Sequence, residues 1–477
     1  MGIAVTLSMM LAWSTITPSS VQQPPHPETA PATARFDTLV APSVLQNRST
    51  IPHVVEVSLT AAPARLALYP GKVTDAFAYN GQVPGPTLLV HEGDSVIVHF
   101  HNELSEPTTI HWHGMHLAAT MDGSPLNLVP AGGRTDYVFK VEQDRAGTYW
   151  YHPHPDKRTG YQVAKGLYGA LVVLPSHDPL PPSIPDKLLV LSDNRFLPDG
   201  SVDLPDIDSP AGQIDQDNGR EGPVIFVNGQ LDPTITIRSG EVQRWRIVNA
   251  SAARVYRLAV PGATMIQVGS DGGLFEHPQE VKEVLIANSE RVEVLIRGTG
   301  TPGSRTSLED LPYDRYMPQT RPADWDKTRD LVELRYSTDP PVAPVDIPAV
   351  LRPVPALDTT QVVARQVVTF TQGMINGKRM DLNRVDLRAR LGTTEIWEID
   401  NLVGMDHPFH LHGFRFQILD RDGVPVTERR WKDTVNVPKH SSVRIIIRFD
   451  NFAGKWMFHC HILDHEDEGM MGILQTY

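Results

Sequence analysis

Apolar and polar residues alternate in short runs along most of this chain, and one pattern recurs three times. Asn80-Gly81 precedes Pro86-Thr-Leu-Leu-Val, Gly93 and then Val96-Ile-Val-His-Phe-His-Asn102. Asn228-Gly229 precedes Pro233-Thr-Ile-Thr-Ile, Gly240 and Gln243-Arg-Trp-Arg-Ile-Val-Asn249. Asn376-Gly377 leads through Gly392 to Glu395-Ile-Trp-Glu-Ile-Asp-Asn401. The Asn-Gly pairs begin at 80, 228 and 376, so both intervals are 148 residues (228 − 80 and 376 − 228). Each copy reads as turn, strand, turn, strand, with Asn-Gly supplying a turn of positive φ. In the second strand Val98 and Phe100 match Trp245 and Ile247, then Trp397 and Ile399. Period two sends these positions to a core and the intervening ones outward.

A repeat of this length, made of short alternating strands, predicts a β-sandwich domain of ordinary size. The expected fold is all-β: a leader over 1–50, then domains over 51–176, 177–343 and 344–477. The 477 residues are too many for one core, and 41 Pro with 35 Gly suit short strands and turns better than long helices. In the leader, the apolar run Ile3 to Trp13 and the Pro-rich stretch after it suggest export, although no Lys or Arg precedes Arg35. That run is too short to span a bilayer, and no other segment is apolar enough to do so. A net charge of -13 argues against nucleic acid as a partner. A single cysteine excludes an internal disulfide.

Histidine changes the picture. Of 19 histidines, only His277 falls between Asp178 and Ala343. Four His-x-His pairs stand in the outer thirds: His111-Trp-His113, His152-Pro-His154, His410-Leu-His412 and His459-Cys-His461. On a strand, residues i and i+2 point the same way, about 6.5–7 Å apart. That spacing suits two neighbouring metal ions with one nitrogen each better than chelation of one. A fifth pair, His99 and His101, aligns in the repeat with Arg246 and Val248, then Glu398 and Asp400. Charged counterparts at three of those four positions mark a solvated face, so His99 and His101 are expected on the surface. Alternation around Cys460 sends the thiol away from its two histidine neighbours. His465 and Met470 follow at intervals of five, and His407 is the spare imidazole of the same third. A thiolate, two imidazoles and a weak thioether form the trigonal ligand set of a blue copper site.

These motifs, taken in order, resemble those of the multicopper oxidase family, in its three-domain bacterial laccase type. The resemblance covers roughly residues 53 to 477 through His-Trp-His-Gly, Tyr-Trp-Tyr-His-Pro-His, His-Pro-Phe-His-Leu-His-Gly and His-Cys-His-x3-His-x4-Met. It implies three tandem cupredoxin-like Greek-key sandwiches and four copper ions. The type 1 ion would be held by His407, Cys460 and His465 with Met470 axial, and the type 2 ion by His111 and His410. The type 3 pair would be held by His113, His152, His154, His412, His459 and His461. On that reading the middle domain is a spacer. Asp122 and Glu466 stand where acids of related oxidases are thought to relay protons; orienting the histidines is the other role open to them.

The resemblance implies an enzyme, expected to be monomeric, that oxidises small reductants one electron at a time and reduces oxygen to water. Between Gly303 and Gly373 the chain holds one methionine, Met317, in a charged, Pro-rich stretch. Relatives specialised for cuprous ion carry a methionine-rich insertion there. Phenols and aryl amines are therefore the expected substrates, with cuprous or ferrous ion as the alternative and Met374, Met380 or Met405 as possible soft-metal contacts. A copper nitrite reductase would not need six type 3 histidines, and copper-free modules of this fold lack ligands retained here.

Overall fold

The computed structural model describes residues 38–319, 321 and 324–477. The proposed export run Ile3 to Trp13 lies outside them. Residues 38–50, the end of the expected leader, are held by the body of the protein. Leu39 N–H donates to the Thr234 carbonyl, Val40 N–H to Gln230 Oε1, and Leu45 N–H to the Thr87 carbonyl.

Six sheets form three sandwiches. The first pairs the sheet Thr74–Tyr79, Val54–Leu66, Ser95–Asn102, Arg134–Lys140 with the sheet Gly85–His91, Gly169–Leu174, Gly147–His152, His111–His113. The other two follow the same plan with six strands facing five. In all three, the repeat's long second strand runs parallel to the strand that opens its domain: Val54 beside Ser95, Leu189 beside Ile247, Val368 beside Ile399. This is an all-β fold of three domains, as the alternation predicts.

The repeat residues explain why the plan recurs. Asn80, Asn228 and Asn376 have φ of 49°, 55° and 51°, and the glycines after them are also positive, so each pair forms the hairpin turn that suits a right-handed twist. At each turn the chain leaves one sheet of a sandwich for the other. Each of these asparagines also pins the neighbouring strand: its Oδ1 accepts from Thr60, Val190 or Thr369 N–H respectively. The asparagines that end the long strands share a second role. Asn102, Asn249 and Asn401 are buried, and each donates through Nδ2 to a carbonyl of the loop that follows and to a second carbonyl further along the chain. Val98, Phe100, Trp245, Ile247, Trp397 and Ile399 are all buried in core clusters.

The face beside them is less uniform than expected. His99 sits between Asp136 and Glu56 at the surface, and His101 pairs with Glu103. Their counterparts Arg246 and Val248 are buried, which corrects the reading of that face as solvated in every copy. In the middle domain this face packs against the first domain. Arg246 donates there to Thr148 Oγ1 and pairs with Asp186 and Glu293 of its own domain.

Candidate metal centres

The histidine pairs reach one another through strand register. In the first domain His111 stands opposite His152, and His113 opposite Trp150. In the third domain His410 stands opposite His459, and Phe409 opposite Cys460. The two strand pairs face each other across the domain boundary, with His111 stacked on His412 and His113 on His410, both at 3.8 Å between ring centroids. These six histidines, and His154 and His461 from the same pairs, are buried.

Possible ligand atoms fall into groups whose members lie within 4.8 Å of one another: His113, His152 and His461; His154, His412 and His459; His111, His113 and His410; and His111, Asp122 and His412. The pairs His152/His154, His410/His412 and His459/His461 are each divided between groups, while His111 and His113 share one group and each also joins another. A further group, on the opposite face of the Gly454–Cys460 strand, joins His407, Cys460 and His465. Every histidine selected from the sequence, and the cysteine, therefore falls in one of these groups. Met470 is buried in the same core cluster as Cys460, and its carbonyl accepts the Cys460 N–H at 3.2 Å.

Ring protonation follows from the acceptors. A backbone carbonyl can only accept, so an imidazole nitrogen facing one carries the proton and leaves the other nitrogen bare. His111 Nδ1 faces the Asp122 carbonyl, His152 Nδ1 that of Pro153, His410 Nδ1 that of Asp433 and His459 Nδ1 that of Cys460, each at 2.9 Å. His412 Nδ1 donates to Asp122 Oδ2 at 2.8 Å. The opposite nitrogens of His111, His152 and His410 have no protein partner. Those of His412 and His459 face each other at 3.1 Å, lone pair toward lone pair. Such an arrangement is repulsive unless a cation lies between the rings. His113 is turned the other way: its Nε2 meets Asp433 Oδ1 at 3.1 Å, and Nδ1 is the bare atom.

Burial and the neighbouring rings hold His113, His152, His154, His410, His412 and His461 well below the usual imidazole pKa. Burial lowers His459 to about 3 and His407 to about 4. These rings are neutral at ordinary pH, as metal ligands must be. The donor set fits copper: neutral imidazoles in one place, a thiol with two imidazoles in the other.

Both acids lie at the histidine cluster. Asp122 is 1 % exposed and touches two rings, His412 through Oδ2 and His111 through its carbonyl. Gly123 makes that approach possible, since a Cβ there would overlap the Ile110 carbonyl. Glu466 places Oε1 3.3 Å from His154 Nδ1 and Oε2 3.3 Å from His459 Nδ1, and neither oxygen has a hydrogen bond. Burial, reinforced by Asp467, raises its carboxyl well above the ordinary range.

Residues that the sequence did not single out brace the site. Trp150 stacks on His152 at 4.3 Å. The middle domain supplies Asn288, which donates to the His461 carbonyl, and Ser289, whose hydroxyl donates to Thr434. It also supplies Arg291, which forks onto Asp433 behind His113. That domain is therefore more than a spacer. In sequence these are ordinary strand-end polar residues; Arg134, which pairs with His101 as Arg291 pairs with Val248, is exposed.

Residues 63–178, 150–304 and 352–477 each match a multicopper oxidase family. A multicopper oxidase of Staphylococcus aureus is 31 % identical over 457 residues, covering 91 % of each chain. Among solved structures, a multicopper oxidase from Campylobacter jejuni described as a metallo-oxidase superposes with a TM-score of 0.85. It is 33 % identical, over 93 % of this chain and 96 % of its own. A laccase from Pediococcus acidilactici gives a TM-score of 0.81 at 30 % identity, over 94 % and 95 %.

Proposed function

The chain belongs to the multicopper oxidase family, and from that premise we propose a laccase-like enzyme that couples oxidation of phenols and aryl amines to reduction of oxygen to water. It is an oxidoreductase, and the family implies copper. We assign a type 1 ion to His407, Cys460 and His465, with Met470 as the candidate fourth ligand, and a type 2 ion to His111 and His410. The type 3 pair is assigned to His113, His152 and His461 on one side and His154, His412 and His459 on the other. The observation that carries this reading is the buried cluster of imidazole nitrogens that lie within 4.8 Å of one another, several with no protein partner.

Bound copper would supply the redox chemistry, accepting single electrons at the outer site and reducing oxygen at the inner one. The protein's part is to hold, insulate and connect. His459, Cys460 and His461 are consecutive, so three adjacent residues carry ligands of both sites and give electrons a short covalent path. Burial of the histidines excludes bulk water from the cluster. Asp122 orients His111 and His412, and Glu466 stands beside His154 and His459, placed to pass protons to the cluster where oxygen reduction consumes them. The proposal includes export through the Ile3 to Trp13 run, as a monomer.

The scarcity of methionine between Gly303 and Gly373 supports organic substrates. Oxidation of cuprous or ferrous ion is the second reading. It is favoured by buried Met405, two residues before His407 with its carbonyl 2.8 Å from that ring's Nδ1, and by the description of the Campylobacter jejuni protein. Steady-state rates of the copper-loaded enzyme on a phenol, an aryl diamine, ferrous ion and cuprous ion decide between them. Higher kcat/KM for the phenol and the diamine is expected; higher kcat/KM for either metal ion would reverse the order.

A further inference from the structure

The middle domain contributes no histidine to the cluster, yet it places one fully buried cation directly behind it. Arg291 opens the strand Arg291–Gly298 and is 0 % exposed. Its five N–H groups are all used. Nε donates to the Thr148 carbonyl at 3.1 Å. Nη1 donates to the Ser289 carbonyl at 3.0 Å and Asp433 Oδ1 at 2.8 Å, and Nη2 to the Asp271 carbonyl at 3.1 Å and Asp433 Oδ2 at 2.5 Å. Thr148 belongs to the first domain, Ser289 and Asp271 to the second, Asp433 to the third. One guanidinium thus ties three domains together, and a lysine has neither the fork nor the reach to do the same.

Beyond Asp433 lies His113. The Asp433 oxygen that takes Nη1 of Arg291 is also the oxygen 3.1 Å from His113 Nε2, with Thr434 Oγ1 at 3.2 Å. A carboxylate held by a bidentate arginine is fixed in plane and rotation, so the proton of His113 is drawn to Nε2 and Nδ1 is left as the bare atom with no protein partner. The five rings whose Nδ1 partner is an acceptor do the opposite. Gly114 gives an independent sign of the same device. It follows His113 at φ +87°, and a Cβ there would come within 2.5 Å of Asp433 Oδ2 and 2.7 Å of Arg291 Nη2. The glycine of the His-Trp-His-Gly motif leaves space for the Arg291–Asp433 pair.

We infer that Arg291 and Asp433 are positioning residues for oxygen reduction, a clamp that selects Nδ1 of His113 as the metal-facing atom. A stabilising role alone accounts poorly for the pair. Buried ion pairs are often no more stabilising than packed apolar residues, whereas partners that orient a ligand histidine are worth about 10–100-fold in metal affinity or activity.

The inference rests on the copper assignment above, and the test separates the two. Wild type, Arg291→Gln and Asp433→Asn are loaded with copper. Copper per chain, the blue absorption, the near-ultraviolet absorption of the coupled pair, the melting temperature and oxygen-uptake kinetics are then measured. In the variants the blue band and the KM for the reducing substrate should stay at wild-type values. The coupled-pair absorption should weaken, and kcat should fall about 10–100-fold. A variant with the wild-type coupled-pair spectrum and kcat would overturn the clamp, whatever its melting temperature. So would failure of both variants to fold, which would make the pair a folding element. A wild type that takes up no copper would overturn the site assignment itself.

Discussion

Cys460→Ser is expected to give a folded protein that is colourless and consumes oxygen no faster than background. Cys460 is fully buried and its Sγ accepts the Ile462 N–H at 3.4 Å, a contact that a serine oxygen can keep. Burying the hydroxyl costs at most about 1–3 kcal/mol, which a chain of this size tolerates. The metal chemistry is not tolerant. The polarisable thiolate is what makes this group a copper site, and a hydroxyl is a hard, protonated donor. Burial already raises the thiol far above its ordinary pKa, so a bound cation is needed to keep the thiolate there. Losing it removes the outer ion and the first station for electrons. His459 and His461 stay in place on the adjacent backbone. Copper content should therefore fall by one ion per chain while the near-ultraviolet band of the inner pair persists. A blue, active serine variant would end the assignment.

Asp122→Asn is expected to keep the blue band and lower the rate of oxygen reduction about 10–100-fold. Asp122 touches His111 and His412 but none of His407, Cys460 or His465, so the outer site has no reason to change. Its backbone contact to His111 survives the substitution. An asparagine can also turn its oxygen to His412, which preserves orientation and removes only the charge and the capacity to take up a proton. Comparing kcat across pH separates the two roles. A pure orienting residue leaves the profile unshifted, whereas a proton-carrying one moves it. Turnover equal to wild type at every pH would exclude both.

How far the sequence carried depended on whether a residue acts locally. Asn80, Asn228 and Asn376 announce their turns because positive φ is decided by the residue and its glycine. Cys460 announces its site because alternation is fixed by the backbone alone. Asn102, Asn249 and Asn401 end matching strands, but their loop-pinning bonds became apparent only with the folded loops. Arg246 was misread because its charge is satisfied by Asp186 and Glu293, 60 and 47 residues away, and not by water. Arg291 was invisible for the same reason: Asp433 lies 142 residues on. Trp150 and Asn288 likewise matter only through packing between distant segments. The ligands were legible because metals demand particular atoms; their supports were not, because many residues can provide a carbonyl, an amide or a flat surface.

The most direct test of the account is anomalous diffraction at the copper edge from crystals of the copper-loaded protein. It predicts one peak among His407, Cys460 and His465, and three among the eight inner histidines, with one of the three beside His113 Nδ1. Absence of copper from either place would contradict it.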